Sequence, residues 1–597
     1  MREFFKMMFA SMVGFLLASF IFFFLMMVML VSAISFAPKE DVQIASNSVL
    51  HVSFDLPIQD RAPRSPFDAF GTMGGKRPLG LNQILESIEN AATDDRIKGI
   101  WLELGVMPSG MATVEEVRVA LGEFRKSGKP VIAYGDMVSQ SSYYLATAAD
   151  KIYLNPVGNI QFSGLSAQVA FFKGLSEKLK VDMQIIRPEG NTFKSAVEPF
   201  YLDRMSEANR EQTGKFLASG WSRMLKGIEE GRGLDQATLN LLADSLSAFK
   251  AEGALASGLV DGLLFKDQLL DSLRQIAGVN EKANIPMVTL AKYIRADQKS
   301  IDSDGKKEKG TFGNRIAVIY ASGSIVMGDG EDMVISSNHI SQTIRKARED
   351  KKVKAIVLRV NSGGGDGVAS EIIWREVDLA AKEKPVIVSM GDYAASGGYY
   401  IACAATKIVA QPNTLTGSIG VFGVMPNMQK LFSDHLGITF DEVSTNSNSS
   451  LGNVMRPLKP FEYQMLQRYV EDFYTHFVGR VADGRGMSPE AVDSIGQGRI
   501  WSGSDAQAIG LVDELGGLND AIRIAADEAG LKNYRVVEWP LQKDPFLKLM
   551  QQLSGEASIE TAIRKNLGQN YAWFEMLATL NELKGIQARL PFVMVIQ

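Results

Sequence analysis

Residues 391–420 read GDYAASGGYYIACAATKIVAQPNTLTGSIG, and the fold is decided at their first few positions. The run before them, Pro385-Val-Ile-Val-Ser-Met390, is apolar, β-rich and bounded by Pro and Gly, as a buried strand should be. Ser396 then stands directly before two glycines and an apolar helical stretch, Tyr399 to Ala405. A serine at a strand-to-helix turn presents its hydroxyl beyond the sheet. The unpaired N–H groups of the helix start lie beside it, where a developing oxyanion could be held. Ala394, Ala395, Gly397 and Gly398 leave room for another backbone to approach. The plain alternative is an N-cap serine on a packed helix.

Working outward, strands and helices alternate. Val49–Leu56, Ile100–Leu104 and Val131–Tyr134 have strand patterns, while Leu81–Ala92 and Val114–Lys126 have helical ones. Such alternation predicts an α/β fold with parallel sheets built from βαβ units. The order then repeats. Asp94-Asp-Arg-Ile-Lys-Gly-Ile100 resembles Asp350-Lys-Lys-Val-Lys-Ala-Ile356, 256 residues later, and Lys129-Pro-Val-Ile132 matches Lys384-Pro-Val-Ile387. Gly135-Asp136 and Tyr143-Tyr144 match Gly391-Asp392 and Tyr399-Tyr400. Further on, Gly231-Arg-Gly233 pairs with Gly484-Arg-Gly486, and Gly258-Leu-Val-Asp261 with Gly510-Leu-Val-Asp513. The collinear order marks a duplicated domain, copy one at 48–295 and copy two at 315–540. Residues 296–314 between them are polar and charged, the composition of a solvated linker. From 541 to 597 a helical extension is predicted, its apolar end (Pro591–Gln597) too short to span a bilayer and suited to packing on a neighbour.

A chain of 597 residues exceeds one core. Its net charge of -5 leaves no basic footprint, so nucleic acid is not an expected partner. The single cysteine, Cys403, falls in the apolar helix after Ser396 and reads as a small core residue. The four histidines (His51, His339, His435, His476) form no ligand cluster, so a zinc site is not expected. Residues 7–37 carry no charge and are rich in Phe, Met, Leu and Val. The run exceeds both the ~20 residues of a membrane span and the roughly 7–15 of a signal-peptide core, which predicts one uncleaved transmembrane helix. Arg2 and Lys6, in the short stub 1–6, precede it, while Glu40 and Asp41 follow closely. That bias places the N-terminus in the cytoplasm and the rest of the chain across the membrane.

The copies are unequal where chemistry would sit. Opposite Ser396, copy one has Gln140, although Ser139, Ser141 and Ser142 lie beside it. Copy two carries Arg359-Val-Asn-Ser-Gly-Gly-Gly-Asp366 at the end of its strand, where copy one reads Glu103-Leu-Gly-Val-Met-Pro-Ser-Gly110. Three successive glycines can turn backbone N–H groups toward a carbonyl oxygen, though most such loops are only turns. A nucleophilic serine also needs a base. In copy one, Gly190-Asn-Thr-Phe-Lys-Ser-Ala-Val-Glu-Pro-Phe200 sets Lys194 in a polar turn. The equivalent stretch, residues 452–461, puts Arg456 or Met455 opposite it, and neither can serve as a base. A lone lysine is usually a solvated charge. Here the lysine and the serine are absent from complementary copies.

Taken together, VNSGGGDG, GDYAASGGYYIA, NTLTGSIGVFG and FKSAVEPF resemble the SppA-type signal peptide peptidases of serine peptidase family S49, in their long, membrane-anchored, double-domain form. The resemblance covers both copies and the anchor. It implies tandem ClpP/crotonase-like domains, each a superhelix of ββα units. It also implies Ser396 as nucleophile, Lys194 as general base and an oxyanion hole from the N–H groups of Gly364 and Gly397. Ser418 matches the family hydroxyl near the lysine, with Thr416 a weaker candidate. Gly363 departs from the family, which often has proline there. The function implied is removal of remnant signal peptides at the outer, periplasmic face of a bacterial inner membrane, by a homotetramer without cofactors. Two other readings share parts of this pattern: a crotonase-type acyl-CoA enzyme, and a catalytically inactive membrane scaffold.

Overall fold

The structure, a computed structural model, describes residues 2–36, 43–62, 78–280, 283–296, 313–330, 334–541, 586–590 and 595–596. The linker expected at 296–314 and the helical extension expected at 541–597 fall largely outside these residues. Arg2–Phe36 is one helix of 35 residues with exposed Phe9, Phe15, Leu16, Phe20 and Phe22. Among the described residues no helix is long and apolar enough to cross a membrane. The side chains at 23–24 and 27–36 of this helix lie outside that description.

Two parallel sheets follow. The first contains β1 (Ser48–Ser53), β2 (Ile97–Leu104), β3 (Val131–Val138) and β4 (Lys151–Ile160), flanked by Gly262–Leu263 beside β4 and Met287–Thr289 beside β1. The second contains β5 (Arg315–Ser322), β6 (Val353–Ser362) and β7 (Val386–Ala395). Lys407–Ala410 pairs with β7 and in turn with Glu514–Leu515, while Arg535–Trp539 flanks β5. The strand order is therefore the same in both, as a duplication requires. In the second sheet Leu415–Gly417 also runs beside the end of β7, and Ile500–Ser502 pairs antiparallel with it.

Both faces of each sheet are covered by helices, which is why the central strands are apolar on both sides. In the first sheet, Leu50, Val52, Ile100 and Leu102 pack on the helices Leu81–Thr93 and Met111–Arg125. The alternate residues Val49, Trp101 and Ile132 pack on Lys266–Ala277.

The repeated polar residues do the same work twice. Asp261 accepts from the Ile152 amide and pairs with Arg232; Asp513 accepts from the Ile408 amide and pairs with Arg485. Tyr143 donates to the Leu259 carbonyl as Tyr399 does to that of Leu511, each at 2.8 Å. Lys129 ties the Ala91 and Asp94 carbonyls at the end of the helix Leu81–Thr93, and Lys384 those of Ala347 and Asp350 at the end of Ser337–Glu349. These pairs explain why the GRG and GLVD motifs survived in both copies.

What joins the copies is not repeated. Arg359 of β6 is fully buried, 2.7 Å from Asp60 and 2.7 Å from Glu116, both in copy one. Glu116 also accepts from the Leu518 amide. Asp392 accepts from the amide and hydroxyl of Thr113, supplying the carboxylate that the cap residue Gly110 lacks. Asp182–Ile186 pairs antiparallel with Gly423–Asn427. Burial opposes ionisation of Asp60, but the Arg359 guanidinium and its hydrogen bonds hold that carboxyl below its ordinary value. Burial pushes Glu116 up despite the same partner, because the Asp60 charge adds to desolvation.

Removing one member of such a group leaves uncompensated charge in the interior. Arg359→Ala should cost about 3–5 kcal/mol in urea unfolding. A loss below about 1 kcal/mol, the range of exposed pairs, would show that the triad is hydrated.

Candidate active site

Ser396 stands between the end of β7 and the helix Gly397–Ala402. Its backbone is held at φ 57°, ψ -117°, a region that non-glycine residues occupy only under constraint. The constraint is visible. Its amide donates to the Gly417 carbonyl at 2.8 Å, and its carbonyl accepts from Tyr400 at 2.8 Å. The hydroxyl makes no capping bond, whereas Ser139, Ser206, Ser336, Ser488 and Ser502 each accept an amide at their helix starts. The N-cap reading of Ser396 is thereby set aside, and the side chain is turned elsewhere.

It is turned toward Lys194. Nζ of Lys194 lies 2.8 Å from Ser396 Oγ, 3.0 Å from Ser418 Oγ and 3.2 Å from the Ser418 carbonyl. Lys194 and Ser396 are both 0% exposed. The two copies of one chain thus bring the residues together. Burial alone pushes the lysine well below its ordinary pKa, and no carboxylate pairs with it among the described residues. Its alkyl chain runs through a sheath of glycines: a Cβ on Gly498 would lie 2.5 Å from Lys194 Cβ, and one on Gly420 3.3 Å from Cδ. Ser418, itself at φ 50°, is fixed by its amide to the Arg499 carbonyl.

Sequence reasoning missed the support of this turn. Gln212, from the long helix Glu207–Arg232, donates to the Phe193 carbonyl and to Ser195 Oγ, on either side of Lys194. Its amide oxygen accepts from Ile500 of copy two at 3.1 Å. A glutamine on a helical face carries no local mark of such a role.

Gly364 and Gly397 are neighbours: a Cβ on Gly364, where φ is 98°, would stand 2.8 Å from the Gly397 amide. The Gly364 N–H donates at 3.1 Å to Ser362 Oγ. Thr416 donates to the Ala394 carbonyl rather than facing the lysine. Gln140, opposite Ser396 in copy one, binds the backbone of residues 163–164. Arg456, one of the two candidates opposite Lys194, is paired with Glu462. Cys403 is buried, and desolvation raises its thiol to about 12, as befits an inert core residue. Among the described residues no group of histidine, cysteine or acidic side chains could hold a metal.

The sequence pattern of Peptidase family S49 matches residues 123–280 and 378–532, so Lys194 falls in the first match and Ser396 in the second. The chain belongs to peptidase family S49. Protease 4 of Salmonella typhi is 38% identical over 485 residues, 80% of this chain and 76% of that protein. The chloroplastic serine protease SPPA of Arabidopsis thaliana is 32% identical over 86% of this chain and 75% of its own. Protease 4 of Haemophilus influenzae is 34% identical over 83% and 82%. This S49 member is a serine protease of the SppA type, in the double-domain form.

A lysine whose pKa is lowered by burial has a thermodynamic signature. Between its lowered folded value and about pH 10.4 the unfolded lysine binds a proton that the folded site does not, so stability rises with pH across that window. Lys194→Met removes that term. It should raise the urea midpoint near neutral pH, with the advantage shrinking toward about pH 10.4. A variant less stable than wild type at every pH would mean the lysine is charged and solvated.

Proposed function

We propose that this protease uses a Ser396–Lys194 dyad to degrade remnant signal peptides at the periplasmic face of a bacterial inner membrane. The observation that carries the chemistry is the 2.8 Å approach of Nζ to Oγ inside a desolvated site. An amine kept neutral by burial can accept the serine proton, which an ordinary lysine near pH 7 cannot. Ser418, through its hydroxyl and carbonyl, holds the amine in line and accepts its remaining hydrogens.

The alkoxide then attacks the peptide carbonyl. The N–H groups of Gly364 and Gly397 stabilise the oxyanion, Gly364 releasing Ser362 to do so. The protonated Lys194 delivers its proton to the leaving amine, and water hydrolyses the acyl-enzyme with the lysine again as base. Anchoring rests on the apolar helix Arg2–Phe36, which would hold the site beside substrates that are themselves apolar membrane segments. Assembly as a homotetramer and the ClpP/crotonase-like kinship belong to the same reading. The latter is supported by two parallel sheets with helices on both faces.

Ser396→Ala should lower hydrolysis of an apolar peptide below about a thousandth of wild type with folding intact. Lys194→Arg should be as inactive as Lys194→Ala, because a guanidinium keeps its proton at any workable pH. The wild-type acylation rate should rise with pH through the depressed lysine pKa, the neutral amine being the working form. Single-turnover acylation measured across pH decides the matter; a flat profile, or an active arginine variant, removes Lys194 from the mechanism.

A further inference from the structure

Glu198 is a buried carboxylate, 1% exposed, that the dyad does not use. It stands four residues after Lys194, and no cation pairs with it among the described residues. Donors hold it instead. Ser206, which starts the long helix Glu207–Arg232, donates with both its amide and its hydroxyl, and the Asn209 side chain donates at 2.8 Å. An acid taken out of water needs such bonds, and the start of a helix favours its charge.

From Glu198 the bonds run on in one direction. Asn209 turns its amino group to the carboxylate, so its oxygen accepts from Thr213 at 3.3 Å and faces the Gln212 amino group at 3.5 Å. Gln212 in turn donates to the Phe193 carbonyl at 3.0 Å and to Ser195 Oγ at 2.9 Å, the two neighbours of Lys194. Its oxygen is left for the Ile500 amide of copy two. A carboxylate only accepts, so it dictates which way round each amide sits. With Asn209 reversed, two amino groups would face each other, and a reversed Gln212 would set oxygen against the Phe193 carbonyl and amino group against the Ile500 N–H. Asn209 and Gln212 are both buried, so water cannot make up those losses.

The chain of bonds has no counterpart in copy two. With the two 26-residue helices aligned on their closing Gly-Arg-Gly, Glu462 and Met465 stand where Asn209 and Gln212 do, and Glu462 is taken up by Arg456. The relay thus belongs to the copy that carries the lysine. Its acid is also set back by two amides, which pass on orientation without charge; a carboxylate directly on Lys194 would favour the protonated form.

We propose that Glu198 is a positioning residue for the reaction: through Asn209 and Gln212 it holds the Lys194 turn of copy one in register with the Ser396 and Ser418 side of copy two. The effect on rate rests on the Ser396–Lys194 reading, whereas the relay itself can be read without turnover.

In the full chain carrying Ser396→Ala, hydrogen exchange read by mass spectrometry reports on residues 499–502. Glu198→Gln, which puts a possible donor where only an acceptor stood, should speed exchange at Ile500 by about five- to tenfold, the loss of one buried hydrogen bond, and leave Val131–Val138 unchanged. With Ser396 in place the same substitution should lower kcat for an apolar peptide by about ten- to a hundredfold and leave KM within about twofold, as a small misplacement of a reacting group does. Gln212→Met, which installs the copy-two residue, should lose as much. The double variant should be no slower than Gln212→Met alone, because Glu198 acts only through Gln212. Asn209→Leu, uncharged and of similar size, should reproduce the loss and replaces Glu198→Gln if that variant fails to fold. Losses that multiply in the double variant, a fall in kcat no larger than the fall in sites labelled by a fluorophosphonate, or unchanged Ile500 exchange would each overturn the positioning role. Failure of the dyad would show separately, as activity retained in Lys194→Arg.

Discussion

The amine of Lys194 is buried with hydroxyl and carbonyl partners and without a carboxylate among the described residues, and the rest of the site follows from that. A charged ammonium there would lose its hydration with nothing of opposite sign to replace it. Burial therefore favours the neutral amine, which keeps hydrogen-bonding capacity. Under the proposed chemistry that neutral amine is the base that Ser396 needs, and the stability lost by burying a lysine is the cost of obtaining it.

No single copy can bury it. Lys194 comes from a turn of copy one, and its sheath (Gly420, Gly498) and both serines come from copy two. The seam must therefore be fixed to within a fraction of an ångström. Gln212 does this locally by bonding both copies with one amide. Arg359 does it at a distance, reaching from β6 to two acids of copy one. Buried ion groups add little net stability over apolar packing, but they tolerate few arrangements. What the triad contributes is register between copies, the property on which a split site depends.

This division also explains how far the chain could be read in advance. The repeat and the complementary loss of serine and lysine were legible because each is a local pattern compared with its counterpart 252 to 262 residues away, and the strand before Ser396 because its apolar run is bounded by Pro and Gly. Ser418 was legible only through family resemblance. Asp60, Glu116 and Gln212 were not legible, since each acts across the seam on a partner 243 to 299 residues distant and has no counterpart to be compared with. The strand Gln587–Arg589, which lies antiparallel to Gly364–Asp366 where a helical extension was expected, was hidden for a related reason. Three residues have no periodicity to speak of, and their pairing comes from the edge they meet rather than from their own sequence.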